Sequence, residues 1–245
     1  MNFVHNHKEP ITHTTEAIYV GTSVIGLKYK DGIIMASDLN LGYGSMIRFK
    51  KINDRIQQIT PRTLIAYSGE YSDFQESIRE LNELILDDTL QGRPYLGPKE
   101  LTNYLASVHY DKRNNMDPYL NRVIVGGYDW NGELRLSSVD PFGTLLTGNY
   151  FTTSYSSYFA HAILREEYPE DPNTLTKEKA IDIIKKSFAV LFYRQLTAGD
   201  EILIKTLENK GNENFVCEEQ TIKLTTNWEY DGFKKHANEK VYLSV

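Results

Sequence analysis

The run Val20-Gly21-Thr22-Ser23-Val24-Ile25-Gly26-Leu27-Lys28-Tyr29-Lys30-Asp31-Gly32-Ile33-Ile34-Met35-Ala36-Ser37-Asp38 places a threonine at a Gly-Thr junction, ahead of two short apolar runs and an acid. A threonine hydroxyl is a weak nucleophile at its own pKa. It attacks a carbonyl only when a base takes its proton and a neighbouring charge tunes that base. The chemistry this junction could support is acyl transfer from Thr22, provided such groups gather round it. Other candidates are weaker. His5-Asn6-His7 comes without the carboxylate and cysteine spacing of a metal site and reads as part of the terminus. His109 and His161 fall in helical stretches as packing or surface residues. Gly126-Gly127 is not followed by a helix start, so it reads as a close backbone approach in a strand and not as a phosphate loop.

Bulk properties narrow the class. The chain has 245 residues, 40% of them hydrophobic, and a formal net charge of −6. That length suffices for a sizeable core, and the charge argues against broad binding to a phosphate backbone. The expectation is therefore no nucleic-acid partner. No apolar run is long enough to cross a bilayer and the N-terminal stretch has no apolar signal core, so no membrane association is expected either. The single Cys217 cannot form an internal disulfide, which agrees with a reducing, intracellular compartment. No cofactor and no metal are expected.

The elements that must position Thr22 follow from periodicity. Asp31-Gly32 between apolar runs predicts a hairpin, as does Asn131-Gly132 between residues 123–128 and 134–136. Residues 63–68 read as a buried strand running into a helix with Phe74, Ile78, Leu81 and Ile85 on one face. A second helix begins near Pro98 with Leu101, Tyr104, Leu105 and Val108 on its apolar face. A third is predicted over 157–167. A fourth is predicted over 177–194, capped by Thr176 and apolar along Ile181, Ile184, Phe188 and Leu191. Residues 202–207 and 216–224 read as late strands. The order, strands and helices in alternating pairs of blocks, differs from βαβ alternation. It implies an α+β fold in which two antiparallel sheets face each other between outer helical layers.

Several stretches, in order, resemble the proteasome beta-type subunits, closest to the beta-7 class, known as beta type-4 in mammals. They are Gly21 to Asp38; Leu41-Gly42-Tyr43-Gly44-Ser45-Met46-Ile47-Arg48-Phe49; Tyr67-Ser68-Gly69-Glu70-Tyr71-Ser72-Asp73-Phe74-Gln75; Met116-Asp117-Pro118-Tyr119-Leu120-Asn121 with Gly126-Gly127-Tyr128; and Thr226-Asn227-Trp228. The resemblance implies the four-layer αββα sandwich of the N-terminal nucleophile hydrolases. It also implies a division into an extension (1–21), the subunit domain (22–224) and a tail for inter-subunit contacts (225–245). In active members the Gly-Thr bond is cut, and the freed amine, a lysine, an acid and a serine turn activate the threonine.

Carried over position by position, the resemblance implies that this constellation is vestigial. The place of the lysine falls in Asn53-Asp54-Arg55-Ile56, and the following isoleucine selects Arg55 over Asp54. Arginine effectively never gives up its proton. Lys50 or Lys51 could take that place only by a register slip, which by an odd number of residues would invert the buried face. The acid of the Tyr-Arg-Asp run is Gln195, the serine after it is Ala198, and a Gly-Ser-Gly turn reads Thr153-Ser154-Tyr155-Ser156. Thr22, Asp38 and Thr153 remain, and Asp38 is expected to pair with Arg55.

The implied function is that of a non-catalytic 20S core subunit that supports protein degradation by its neighbours. Its implied partners are other beta subunits of the same and the opposite ring, alpha-ring subunits and assembly chaperones, in the cytoplasm and nucleus. In this class active neighbours often trim the extension several residues before the Gly-Thr junction, which here would fall near Thr14; whether residues 1–21 stay attached is left open by the sequence. Two alternatives stay open: an active N-terminal threonine peptidase after cleavage at Gly21-Thr22, and a binding protein using the fold elsewhere.

Overall fold

The computed structural model describes residues 16–44 and 46–225. The expectations for 1–15, for Ser45 and for the tail beyond Thr225, including Thr226-Asn227-Trp228, lie outside the described residues. The chain opens with five short strands, β1 (Tyr19–Gly21), β2 (Val24–Tyr29), β3 (Gly32–Asp38), β4 (Leu41–Tyr43) and β5 (Met46–Phe49). They are followed by β6 (Ile56–Thr60), β7 (Thr63–Glu70) and two helices, α1 (Tyr71–Leu90) and α2 (Pro98–Asn114). The second half runs β8 (Asn121–Tyr128), β9 (Leu134–Val139), β10 (Leu145–Thr147), β11 (Tyr150–Thr152), α3 (Ser156–Phe159), α4 (His161–Glu167), α5 (Lys177–Arg194), β12 (Glu201–Asn209) and β13 (Phe215–Lys223).

Two antiparallel sheets result. The larger has the order β10-β9-β8-β7-β1-β4-β5, with β6 also on β7; the smaller has the order β11-β2-β3-β12-β13. Side chains alternate across each strand, and that alternation sorts the core into three layers. Ile33 and Met35 of β3 face Leu64, Ile124 and Leu136 between the sheets. Ile34 and Ala36, one residue out of phase, face Ile184, Phe188 and Leu191 of α5. On the far side, Ile65, Tyr67, Val123 and Val125 pack under Phe74, Leu81, Leu101 and Leu105 of α1 and α2. The architecture is the expected sandwich of two sheets between helical layers.

Local signals hold where the chemistry is local. The Thr176 hydroxyl accepts from Lys179 N–H at the start of α5. Pro98 opens α2, and the Glu100 carboxylate reaches back to Gly97 N–H at 3.0 Å. The first hairpin turns over Lys30–Asp31, with Gly32 already the first residue of β3 and opposite Tyr29. The helix expected over 157–167 is instead two short ones, α3 and α4. They separate at Ala160, whose backbone drifts to φ −85°, ψ −23°. The last three residues of the segment 1–21 lie inside the larger sheet as β1.

The end of the sandwich away from Thr22 is tied by one buried acid. Glu208, on β12, accepts from Tyr29 Oη at 2.7 Å and pairs with Lys177 at 2.9 Å and with Lys210. Burial by itself would raise this carboxyl. Hydrogen bonds from Lys210, Tyr29 and Lys177 outweigh it and bring the pKa down to about 2. Burial, and then the bond to Glu208, push the Tyr29 phenol above its ordinary value. A carboxyl lowered by folding contributes stability that is fully present above its unfolded value near 4.5 and is lost as pH falls toward 2. Urea unfolding across that window is expected to show a steeper acid loss for the wild type than for Glu208→Gln. Parallel curves would contradict this role.

Candidate functional site

The chain crosses from one sheet to the other at Thr22 and Ser23. β1 belongs to the larger sheet, pairing antiparallel with β4 (Tyr19↔Tyr43, Val20↔Gly42, Gly21↔Leu41) and with β7 (Val20↔Glu70, Gly21↔Gly69). β2 belongs to the smaller sheet. Thr22 is thus held at the mouth of the sandwich by ladders on both sides of it. Gly69 has φ +104°, and a Cβ there would stand 2.2 Å from Leu120 O, so no other residue fits this crossing point.

Arg55 arrives at the same place because β7 shares one edge between two partners. β6 covers residues 63–66 and β1 covers 69–70, with β8 along the other side. Arg55 immediately precedes β6 and its side chain is fully buried. Its Nη1 pairs with Asp38 Oδ1 and donates to Asp38 O at 3.0 Å. Its Nη2 donates to Thr22 O at 2.6 Å. Its Nε lies toward Gly21, where a Cβ would come within 2.7 Å. The glycine of the Gly-Thr junction is therefore required by the guanidinium beside it. Thr22 Oγ1 donates to Asp38 Oδ1 at 2.6 Å, and Gly199 N–H donates to Asp38 Oδ2 at 3.3 Å. The expected Asp38–Arg55 pair is present, buried, with Thr22 bonded to both members.

The other site residues surround this group without adding charge. Gln195 Oε1 accepts from Ser23 Oγ at 3.4 Å, and its Nε2 donates to Thr197 Oγ1 at 3.0 Å. Ala198 contributes its backbone, donating to Gln195 O at 3.2 Å. Thr153 Oγ1 accepts from Val24 N–H at 3.1 Å and is fully buried, so it ties β11 to β2 and does not face Thr22. Ser154, where the resembling turn has glycine, sits at φ +54°. Ser156 N–H donates to Ser23 Oγ at 3.0 Å. Lys50 and Lys51 are exposed and line a separate cleft with Asp200 and Glu201. A cavity of about 470 Å³ opens above Thr22, walled by Val20, Gly42, Ser154, Gln195 and Leu196. Among the described residues no cluster of histidine, cysteine, aspartate and glutamate could hold a metal ion, and no helix is long and apolar enough to cross a membrane.

The Thr22 hydroxyl donates its hydrogen bond to a carboxylate paired with Arg55, and Arg55 cannot serve as a base. The Thr22 nitrogen continues into Gly21 of β1 as an amide. Glu70 is the functional residue that sequence reasoning missed. It reads as the residue before a helix, and it does accept from Ser72 N–H at 3.4 Å. Its Oε2 also accepts from the backbone N–H of Ile18 and, at 2.9 Å, of Tyr19. Only the long-range pairing reveals that second role.

Two antiparallel sheets between helical layers, with a threonine opening the inner strand, define the N-terminal nucleophile hydrolase sandwich. The family described as "Proteasome subunit" matches residues 18–207. The chain belongs to this family. It is 36% identical over 227 residues to a proteasome subunit beta type-4 from Arabidopsis thaliana, covering 92% of this chain and 89% of that one. It is 38% identical over 201 residues to the beta type-4 subunit of Dictyostelium discoideum (82% and 76%). It is 30% identical over 214 residues to the beta type-7 subunit of Saccharomyces cerevisiae (84% and 80%).

Breaking a buried ion pair from one side leaves an uncompensated charge and costs about 3–5 kcal/mol. Arg55→Met is expected to lower the unfolding free energy by that amount in urea titrations. The double variant Arg55→Met/Asp38→Leu is expected to regain part of it. A single variant as stable as the wild type would show that the pair is not what fixes this corner.

Proposed function

We propose that this chain is a non-catalytic subunit of the 20S proteasome core beta ring, of the class its relatives name beta type-4 or beta type-7. It would support particle assembly and protein degradation by catalytic neighbours. The observation that carries the reading is the closed group at Thr22. The hydroxyl donates to Asp38, and Asp38 is paired with a buried Arg55. A hydroxyl nucleophile needs a base poised to take its proton, and the arginine in the place of the lysine cannot be that base.

An exposed apolar face supports the assembly role. Ile18, Tyr19, Tyr43, Met46, Ile47 and Phe49 are exposed along β1, β4 and β5. The Tyr19 ring lies 5.5 Å from Tyr43 and 6.0 Å from Phe49. β5 ends the larger sheet, and an apolar edge strand invites association unless a partner covers it. The partners of this reading are beta subunits of the same and opposite ring, alpha-ring subunits and assembly chaperones, and its setting is the cytoplasm and nucleus.

The test is replacement of Thr22 by alanine in cells that make the particle. Particles carrying Thr22→Ala are expected to assemble and to hydrolyse every class of fluorogenic peptide at the wild-type rate. Selective loss of one activity would point to a working threonine peptidase. A chain recovered only as a free monomer would point to a binding protein outside the particle.

A further inference from the structure

We infer that Glu70 is the positioning residue that latches β1 into a strand-wide slot of the larger sheet, making the chain seal its own cleft. The slot lies between β4 and β7. Both pair antiparallel with β1, which alone joins them in the strand order. Two strand spacings of about 4.8 Å each separate the slot's walls, so it admits one extended chain. Val20 at its centre forms part of the wall of two cavities, the one above Thr22 and another bounded by Leu120, Arg122 and Tyr158.

Three residues of ladder are little to hold a strand in place, because β1 meets β7 at only two register positions. Glu70 supplies the rest. It is 6% exposed. Its own N–H is fixed to Leu120 O at 3.0 Å. One carboxylate oxygen takes the two successive N–H groups of Ile18 and Tyr19 just as they enter the slot. The other takes Ser72 N–H at 3.4 Å and Ser72 Oγ at 3.0 Å. Hydrogen bonds to an ionised acceptor are roughly twice as strong as neutral ones. The carboxylate therefore joins the start of α1 to the start of β1. With β1 seated, its backbone occupies the edges of β4 and β7 that another extended peptide would need. Gly21 stays against Arg55, and the Thr22 carbonyl stays on Nη2. The latch thus acts on the junction through the backbone, touching neither Thr22 nor Arg55.

The inference rests on the reading that Gly21 and Thr22 stay joined. Hydrogen exchange in the intact particle tests both separately, because recovery of a peptide spanning Gly21-Thr22 reports the junction directly. In the wild type the amides of residues 18–21 are expected to be protected. Glu70→Asn keeps a side-chain oxygen able to cap α1 but is too short to reach β1. It should speed exchange at 18–21 by about tenfold or more, the loss expected for bonds to a charged group, while the first turns of α1 keep their protection. Ser72→Ala, which removes only the helix-side hydroxyl, should leave 18–21 unchanged. Glu70→Gln, isosteric and neutral, should show a smaller acceleration and serves if the asparagine variant does not assemble. Unprotected amides at 18–21 in the wild type, no change there on substituting Glu70, or acceleration matched by fraying of α1 would overturn the latch.

Discussion

The buried guanidinium of Arg55 is the interaction on which the rest of this corner depends. A fully desolvated cation is tolerated only if its protons find acceptors. Here the closest acceptors are the Asp38 carboxylate, the Asp38 carbonyl and the Thr22 carbonyl, with the Ser23 and Tyr67 carbonyls at 3.5 and 3.4 Å and Nε left without a partner. Two of the closest three belong to the end of β3 and one to the residue that crosses between sheets. The same bonds that satisfy the cation therefore set where β1 ends, where β2 begins and which way the Thr22 hydroxyl points. They also dictate glycine at position 21, since any Cβ there would strike Nε.

In the proposed non-catalytic reading, the bonds that hold this corner together are also what would leave Thr22 without a base. An active hydroxyl nucleophile needs a group that can pass a proton back and forth near neutral pH. A lysine beside Thr22 could do so once partly desolvated. A guanidinium cannot, and what it offers instead is a fixed fork of donors. On that reading the site would serve as a structural joint built on the positions a threonine hydrolase uses. β1, which precedes Thr22, also bridges β7 to the β4–β5 hairpin. Cutting the Gly21–Thr22 bond would release a strand on which the larger sheet relies for its continuity.

Much of the fold was legible because its signals are local or periodic. α1, α2 and α5 carry three to four apolar residues at helical spacing, and Thr176 and Pro98 mark where two of them start. The long strands β3, β7, β8 and β12 are apolar runs bounded by turns. β1, β4, β5 and β6 escaped because three to five residues hold too little pattern. Residues 56–60 read Ile-Gln-Gln-Ile-Thr, which does not alternate, and Tyr19–Gly21 is a strand only because a ladder forms on each side of it. The Asp38–Arg55 pair was reachable by counting along a resembling sequence. The bonds of Gln195 to Ser23, and of Glu70 to the backbone of Ile18 and Tyr19, join residues far apart in the chain. No side-chain pattern announces them. The split at Ala160 was likewise invisible, since no glycine or proline interrupts residues 156–167.

The central claim is that Thr22 remains acylated by Gly21 and therefore has no free amine. The intact mass of this chain, taken from the native particle, tests it most directly. The account predicts a mass whose N-terminus lies before Gly21, leaving the Gly21–Thr22 bond whole. A chain beginning at Thr22 would contradict it and return Thr22 to the position of a nucleophile.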